Sequence, residues 1–114
     1  MYTVTWVKST TNTWLPLETV DLSEVKSSGV YVIWYAGNPG QVVRVGQGDI
    51  ADRLTAHRND KAVLAYKTNG MLLVTWAAVP ESRVDGVERF LADHYRPLVG
   101  DRYPEVAPIV VNLP

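Results

Sequence analysis

Tyr31 and Arg44 are the first two side chains whose types and spacing suggest chemistry. Val30, Val32 and Trp34 alternate with Tyr31, Ile33 and Tyr35, the period of two that marks a strand. Gly37-Asn38-Pro39-Gly40 supplies turn residues before Val42-Val43-Arg44-Val45-Gly46-Gln47-Gly48. With those four as the loop, Tyr35 falls opposite Val42, Ile33 opposite Arg44 and Tyr31 opposite Gly46. Tyr31 and Arg44 then share one face as diagonal neighbours, about 7 to 8 Å apart at the backbone. A guanidinium grips a phosphate or carboxylate through parallel N–H donors, and a phenol orients or deprotonates water. A phenol ordinarily titrates at about 10, so it serves as a base only beside a metal or a cation such as Arg44. A slip of one residue would send the whole set to the wrong face.

Further candidates sit on two expected helices. Asp49 is placed to cap a helix running to about Asn59, with Asp52 in its first turn and Ile50 and Leu54 facing the core. Arg53 and His57, four residues apart, line one edge of it. Spacing alone favours a solvated arginine and a surface histidine. Ser82 followed by Asp85 begins a second helix, which runs to Arg96 and is stopped by Pro97. Val84, Val87, Leu91 and Tyr95 form its buried stripe, and Glu88 falls on the margin. A carboxylate there is costly to desolvate, so it either reaches outward to water or has a partner.

The elements that must position these groups follow from the rest of the chain. Tyr2, Val4 and Trp6 alternate with Thr3 and Thr5 as a short strand, Trp14-Leu15-Pro16-Leu17 reads as extended, and Asp21-Leu22-Ser23-Glu24 as a turn of helix. Lys61 to Gly70 is a polar connection around Ala62-Val63-Leu64-Ala65-Tyr66, and Met71 to Val79 is an apolar strand ending at Pro80, third in the sheet and covered on both faces. Four of the seven prolines fall in the last 18 residues, which predicts an extended tail with Ile109-Val110-Val111 packed on the body. At 114 residues, 46% hydrophobic and 20% charged, one folded domain is expected. Residues 1–28 form an N-terminal extension and residues 29–114 the body and tail.

Composition excludes several classes of chemistry. Without cysteine there are no disulfides and no thiolate metal sites. No apolar run is long enough to span a bilayer and the N-terminus lacks a signal core, so no membrane partner and a cytoplasmic location are expected. A net charge of −1 argues against coating nucleic acid by charge alone. Between Arg44 and Lys67, however, five Lys or Arg stand against three Asp, with His57 in addition. A P-loop, a GxGxxG run, an HExxH pair and a local acyl-transfer motif are all missing.

The order of elements is more specific than any single motif. A strand with Gly29-Val30-Tyr31, a hairpin partner ending in Val45-Gly46, a helix with Arg53-Leu54 and His57, an apolar strand and then a helix with Glu88 resembles the GIY-YIG nuclease domain over about residues 29 to 100. The resemblance implies an α+β fold with a small antiparallel three-stranded central sheet flanked by helices, and cleavage of phosphodiester bonds, with DNA the expected partner. Tyr31 matches the first motif tyrosine, Arg53 the phosphate-contacting arginine, His57 the auxiliary histidine and Glu88 the ligand of Mg²⁺ or Mn²⁺. Arg44, Gly46, Gln47 and Arg58 are expected along the substrate. A single carboxylate suffices for Mg²⁺, which keeps several waters and takes other ligands from phosphate oxygens. Two positions depart from the pattern: Arg44 replaces the second motif tyrosine, and the family's asparagine falls on Gly100, leaving Asn112 as a substitute if the tail folds back.

Three readings follow. The first is a metal-dependent endonuclease, working as a nonspecific or structure-selective enzyme, an oligomer, or with a separate targeting protein. The second is a member that binds nucleic acid without cutting it, since arginine in place of tyrosine adds phosphate affinity while removing a phenol. The third is a protein-interaction module presenting Trp and Tyr residues.

Overall fold

The central hairpin pairs as its alternation requires, up to one irregularity. In this computed structural model, which describes residues 1–100 and 102–114, β2 (Ser28–Tyr35) and β3 (Gln41–Asp49) run antiparallel with Tyr31 opposite Gly46 and Ile33 opposite Arg44. Between Ile33 and Trp34 the register shifts, so Tyr35 opposes Gln41 rather than Val42. The loop between the strands contains a cis Asn38–Pro39 bond. An extra residue in one strand moves every later pair by one, and nothing in the alternation of residues 30 to 35 signals it.

The fold is α+β, and its antiparallel sheet has four strands rather than three, in the order β1-β4-β2-β3. The added member is β1 (Leu15–Pro16), which pairs with β4 (Leu72–Ala78), Leu15 opposite Val74. Its cause is the next residue: Leu17 is fully buried and its N–H donates to the Leu72 carbonyl at 3.0 Å. Tyr2, Val4 and Trp6 form no strand despite their alternation. Only an isolated parallel bridge joins Tyr2 to Val111, while Val4 is held at both its N–H and its carbonyl by the Asn112 side-chain amide, at 2.8 and 2.9 Å. Asp21 makes no helix either. Its carboxylate accepts from the Ser23 N–H at 2.9 Å, the short-range bond by which aspartate favours a turn.

The helices form where capping and periodicity place them. Asp49 caps α1 (Ile50–His57), accepting from the Asp52 N–H at 3.0 Å. The polar connection holds a four-residue helix, α2 (Lys61–Leu64), capped by Asp60 and continued as a 3₁₀ turn over Ala65–Thr68. Helix α3 (Glu81–Tyr95) starts after Pro80, one residue earlier than Ser82, and stops where Arg96 turns left-handed (φ 48°) ahead of Pro97.

Core packing lies on both faces of the sheet. Tyr31, Ile33, Val43, Ile50, Leu54 and Trp76 pack on the α1 side. Val30, Val32, Val45, Val87, Leu91 and Val111 pack on the α3 side. Full burial of each such aliphatic contributes on the order of 1.5–3 kcal/mol. The tail folds back as expected. Leu98 and Val99 donate to the Val42 and Val43 carbonyls at 3.3 and 2.8 Å, which covers the open edge of β3, and Ile109 donates to Gly86 O at 2.9 Å. Among the described residues no helix is long and apolar enough to cross a membrane.

Candidate functional site

Gly46 determines where the Tyr31 phenol goes. A Cβ at that position would overlap the Tyr31 hydroxyl and lie 2.8 Å from its Cε1, so only glycine lets the ring cross β3. The phenol passes over to α1, where its hydroxyl sits 2.6 Å from His57 Nε2. Tyr31 is 0% exposed and His57 3%. The histidine is therefore a core residue and not a surface one, and a phenol in the core is what holds it. Its second nitrogen, Nδ1, has no hydrogen bond, and the nearest carboxylate oxygen, Asp60 Oδ2, is 3.6 Å away. That distance is long for a hydrogen bond but close for electrostatics. Burial pushes the His57 pKa below its ordinary value, and the Arg44 and Arg53 guanidiniums push it further, against an opposing pull from Asp60.

The two arginines lie along the β3 edge. Gly48, at φ +130°, leaves room for the Arg53 stem, whose Cγ would be 3.2 Å from a Cβ placed there. Arg44 reaches toward the tail, and a Cβ at Gly100 would be 2.8 Å from its Nη1. Among the described residues neither arginine forms an ion pair, and the buried Arg44 Nε has no hydrogen-bond partner. A guanidinium normally finds an anion when it is partly withdrawn from water. Half-buried Arg44 meets no such anion among the described residues, whereas Arg53 is exposed to water.

Carboxylates gather on the other side of the same strand. Gln47 follows Gly46, so its side chain takes the opposite face, toward α3. Its Nε2 donates to Asp85 Oδ1 at 2.7 Å and to Glu88 Oε1 at 2.9 Å. Glu88 is 7% exposed, and of the two alternatives open to it, it takes the partner, a neutral amide. Burial raises its pKa above the ordinary carboxylate value. The Gln47 bond opposes that, Asp85 adds to it, and Arg44 and Arg53 draw it back down.

Both arginines thus act on His57 and on Glu88, which face opposite sides of the sheet. No hydrogen bond or ion pair joins the Tyr31–His57 pair to the Gln47–Asp85–Glu88 group among the described residues. Arg58 does not join them. Its Nε donates to Leu17 O at 2.8 Å and its guanidinium also holds Val20 O, so it clamps the N-terminal segment. Asn112 is likewise engaged elsewhere, with Val4. Asp60 was not singled out from the sequence, and Asp85 only as part of a helix start. Their signal was the spacing of three residues from Glu88 and from His57, which puts each pair on one side of a turn.

The donor set suits a hard divalent cation. Two carboxylate oxygens converge on a single amide nitrogen, and Mg²⁺ takes oxygen ligands from one or two carboxylates with water and phosphate making up the rest. No group of three or more His, Asp or Glu side chains gathers among the described residues. Two cavities of about 600 and 590 Å³ lie elsewhere, one at the hairpin loop beside Trp14, Trp34 and Tyr95 and one beside Arg89 and Arg102. The candidate site lies outside both, on β3 next to the Val42–Val43 stretch that the tail covers. No family model, curated protein or solved structure matches the chain.

Proposed function

We propose that this chain is a metal-dependent endonuclease of GIY-YIG type acting on DNA, with the scissile phosphate held along the β3 edge. The observation that carries this reading is the pair of guanidiniums, Arg44 and Arg53, which form no ion pair among the described residues and act electrostatically on both a buried phenol–imidazole pair and a buried carboxylate. A phosphodiester supplies an anion for these arginines, and bidentate guanidinium contacts orient it. Glu88, with Asp85 beside it, would hold Mg²⁺ or Mn²⁺, which lowers the pKa of bound water and stabilises charge on phosphate. Gln47 keeps the two carboxylates together. His57, kept neutral by burial and by both arginines, is ready to accept a proton through Tyr31 as charge builds on the phosphate.

The test is relaxation of supercoiled plasmid with Mg²⁺ or Mn²⁺. Wild type is expected to nick it, and Arg53→Ala and Glu88→Ala to lose about 10² to 10³-fold of that rate, as removal of one charge-stabilising group does. Equal cleavage by all three would place the activity elsewhere.

One observation favours the second reading, a nucleic-acid-binding member that does not cut. The Tyr31 hydroxyl is wholly withdrawn from solvent, so a nucleophilic water meets it only if the covering side chains move. Salt-dependent DNA binding by a wild type that never nicks in either metal would select this reading.

A further inference from the structure

We infer that Asp60 is a positioning residue for the Tyr31–His57 pair: it fixes the imidazole in the Nδ1–H form, makes Tyr31 the donor of their hydrogen bond, and links the sealed phenol to solvent. Use of that link in hydrolysis rests on the endonuclease reading, whereas the proton arrangement does not. Two distances and three degrees of burial define the chain. Tyr31 Oη, 0% exposed, is 2.6 Å from His57 Nε2. His57, 3% exposed, turns Nδ1 toward Asp60 Oδ2 at 3.6 Å. The Asp60 side chain is 35% exposed.

The Tyr31 bond by itself is compatible with either tautomer, because a phenol both donates and accepts. The far side of the ring decides. In the Nε2–H form the Nδ1 lone pair would face a carboxylate, two acceptors with no proton between them. In the Nδ1–H form an N–H dipole faces a negative charge across a poorly solvated gap, and Nε2 is left to accept from the phenol. This is how a carboxylate sets a histidine's tautomer from the opposite nitrogen. The other charges facing the ring, Arg44 and Arg53, disfavour the imidazolium, so the neutral form is the one to be oriented.

Asp60 is itself held in place. Its Oδ1 accepts from the Ala62 N–H at 2.9 Å as the cap of α2, which leaves Oδ2 for His57. The chain conserves charge when it works. The Tyr31 O–H bond breaks as Nε2–H forms, the Nδ1–H proton passes to Asp60 once Oδ2 closes the 3.6 Å gap, and a phenol and a carboxylate become a phenolate and a carboxylic acid with the imidazole neutral throughout. From the partly exposed Asp60 the proton leaves to water. Among the described residues His57 is the one hydrogen-bond partner of the sealed Tyr31 hydroxyl.

The readout is ¹⁵N and ¹H NMR of the His57 ring at pH 7.5 in wild type, Asp60→Ser and Tyr31→Phe. Serine keeps an N-cap for α2 but carries no charge, so the fold is preserved while the carboxylate is lost. Wild type is expected to show protonated Nδ1 and unprotonated Nε2, and Asp60→Ser a several-fold rise in the Nε2–H form. Tyr31→Phe is expected to keep Nδ1–H, because the carboxylate and not the phenol sets it. An Nε2–H ring in wild type, or a tautomer ratio unchanged in Asp60→Ser, would overturn the inference. The two readings fail separately: Nδ1–H with no nicking in any metal removes the nuclease and leaves Asp60's role, whereas nicking with Nε2–H does the reverse.

Discussion

The Tyr31 ring lies directly over Gly46, its partner across the hairpin, and this one overlap hands the phenol to His57. Gly46→Ala is expected to destabilise the fold by about 1–3 kcal/mol, the usual cost of forcing a methyl group into a filled core. Pairing it with Tyr31→Phe removes the hydroxyl but not the ring carbons, so the double variant should recover part of the loss. Thermal unfolding of the four proteins measures this, and strict additivity would mean that the two side chains do not touch.

Stability should respond to His57 and Glu88 in opposite directions. The folded pKa of His57 is below its ordinary 6.5, so its contribution is complete above pH 6.5 and is lost as pH falls through the lower folded value. The folded pKa of Glu88 is above its ordinary 4.5, so its contribution is complete below 4.5 and is lost as pH rises through the higher folded value. Glu88→Gln keeps an acceptor for Gln47 and removes the buried charge. It should therefore be more stable than wild type by about 1 kcal/mol at pH 7, with the advantage fading below pH 4.5. Urea unfolding across pH 4 to 8 would detect it.

Much of this site was legible in the sequence. Alternation and turn residues gave the pairing of Tyr31 with Gly46 and of Ile33 with Arg44, and the helical stripe put Glu88 at a margin where it needed a partner. What could not be read depends on residues distant in the chain. The burial of His57 comes from Tyr31, 26 positions earlier, and the fixing of Val4 from Asn112, 108 positions later. Arg58 has the same type and neighbourhood as Arg53, yet two backbone carbonyls of the N-terminal segment take it away. Local periodicity cannot separate the two arginines, because both lie on the same short helix and its end.

Arg44 and Arg53, which form no ion pair among the described residues, should dominate nucleic-acid affinity. Arg53→Ala is expected to weaken DNA binding across sequences and to reduce the slope of log K against log salt by about 1. Arg58→Ala should leave that slope unchanged while lowering the melting temperature, since its guanidinium serves backbone carbonyls. Fluorescence anisotropy at four salt concentrations and a thermal melt separate these outcomes.

Metal should stabilise wild type but not Glu88→Gln. At ten times its dissociation constant, Mg²⁺ or Mn²⁺ would add about 1.4 kcal/mol by mass action, a rise in melting temperature of several degrees for a domain of this size. Equal rises in both proteins would move the cation away from Glu88.

The central claim is that carboxylate, arginines, cation and phosphate meet at one edge, and linkage tests it most directly. Mn²⁺ affinity is to be measured with and without a DNA duplex protected from cleavage by phosphorothioates. If the phosphate helps to complete the cation's shell beside Glu88, DNA will tighten Mn²⁺ binding in wild type several-fold and will not do so in Glu88→Gln. Mn²⁺ affinity in wild type that is unaffected by DNA would contradict the shared site.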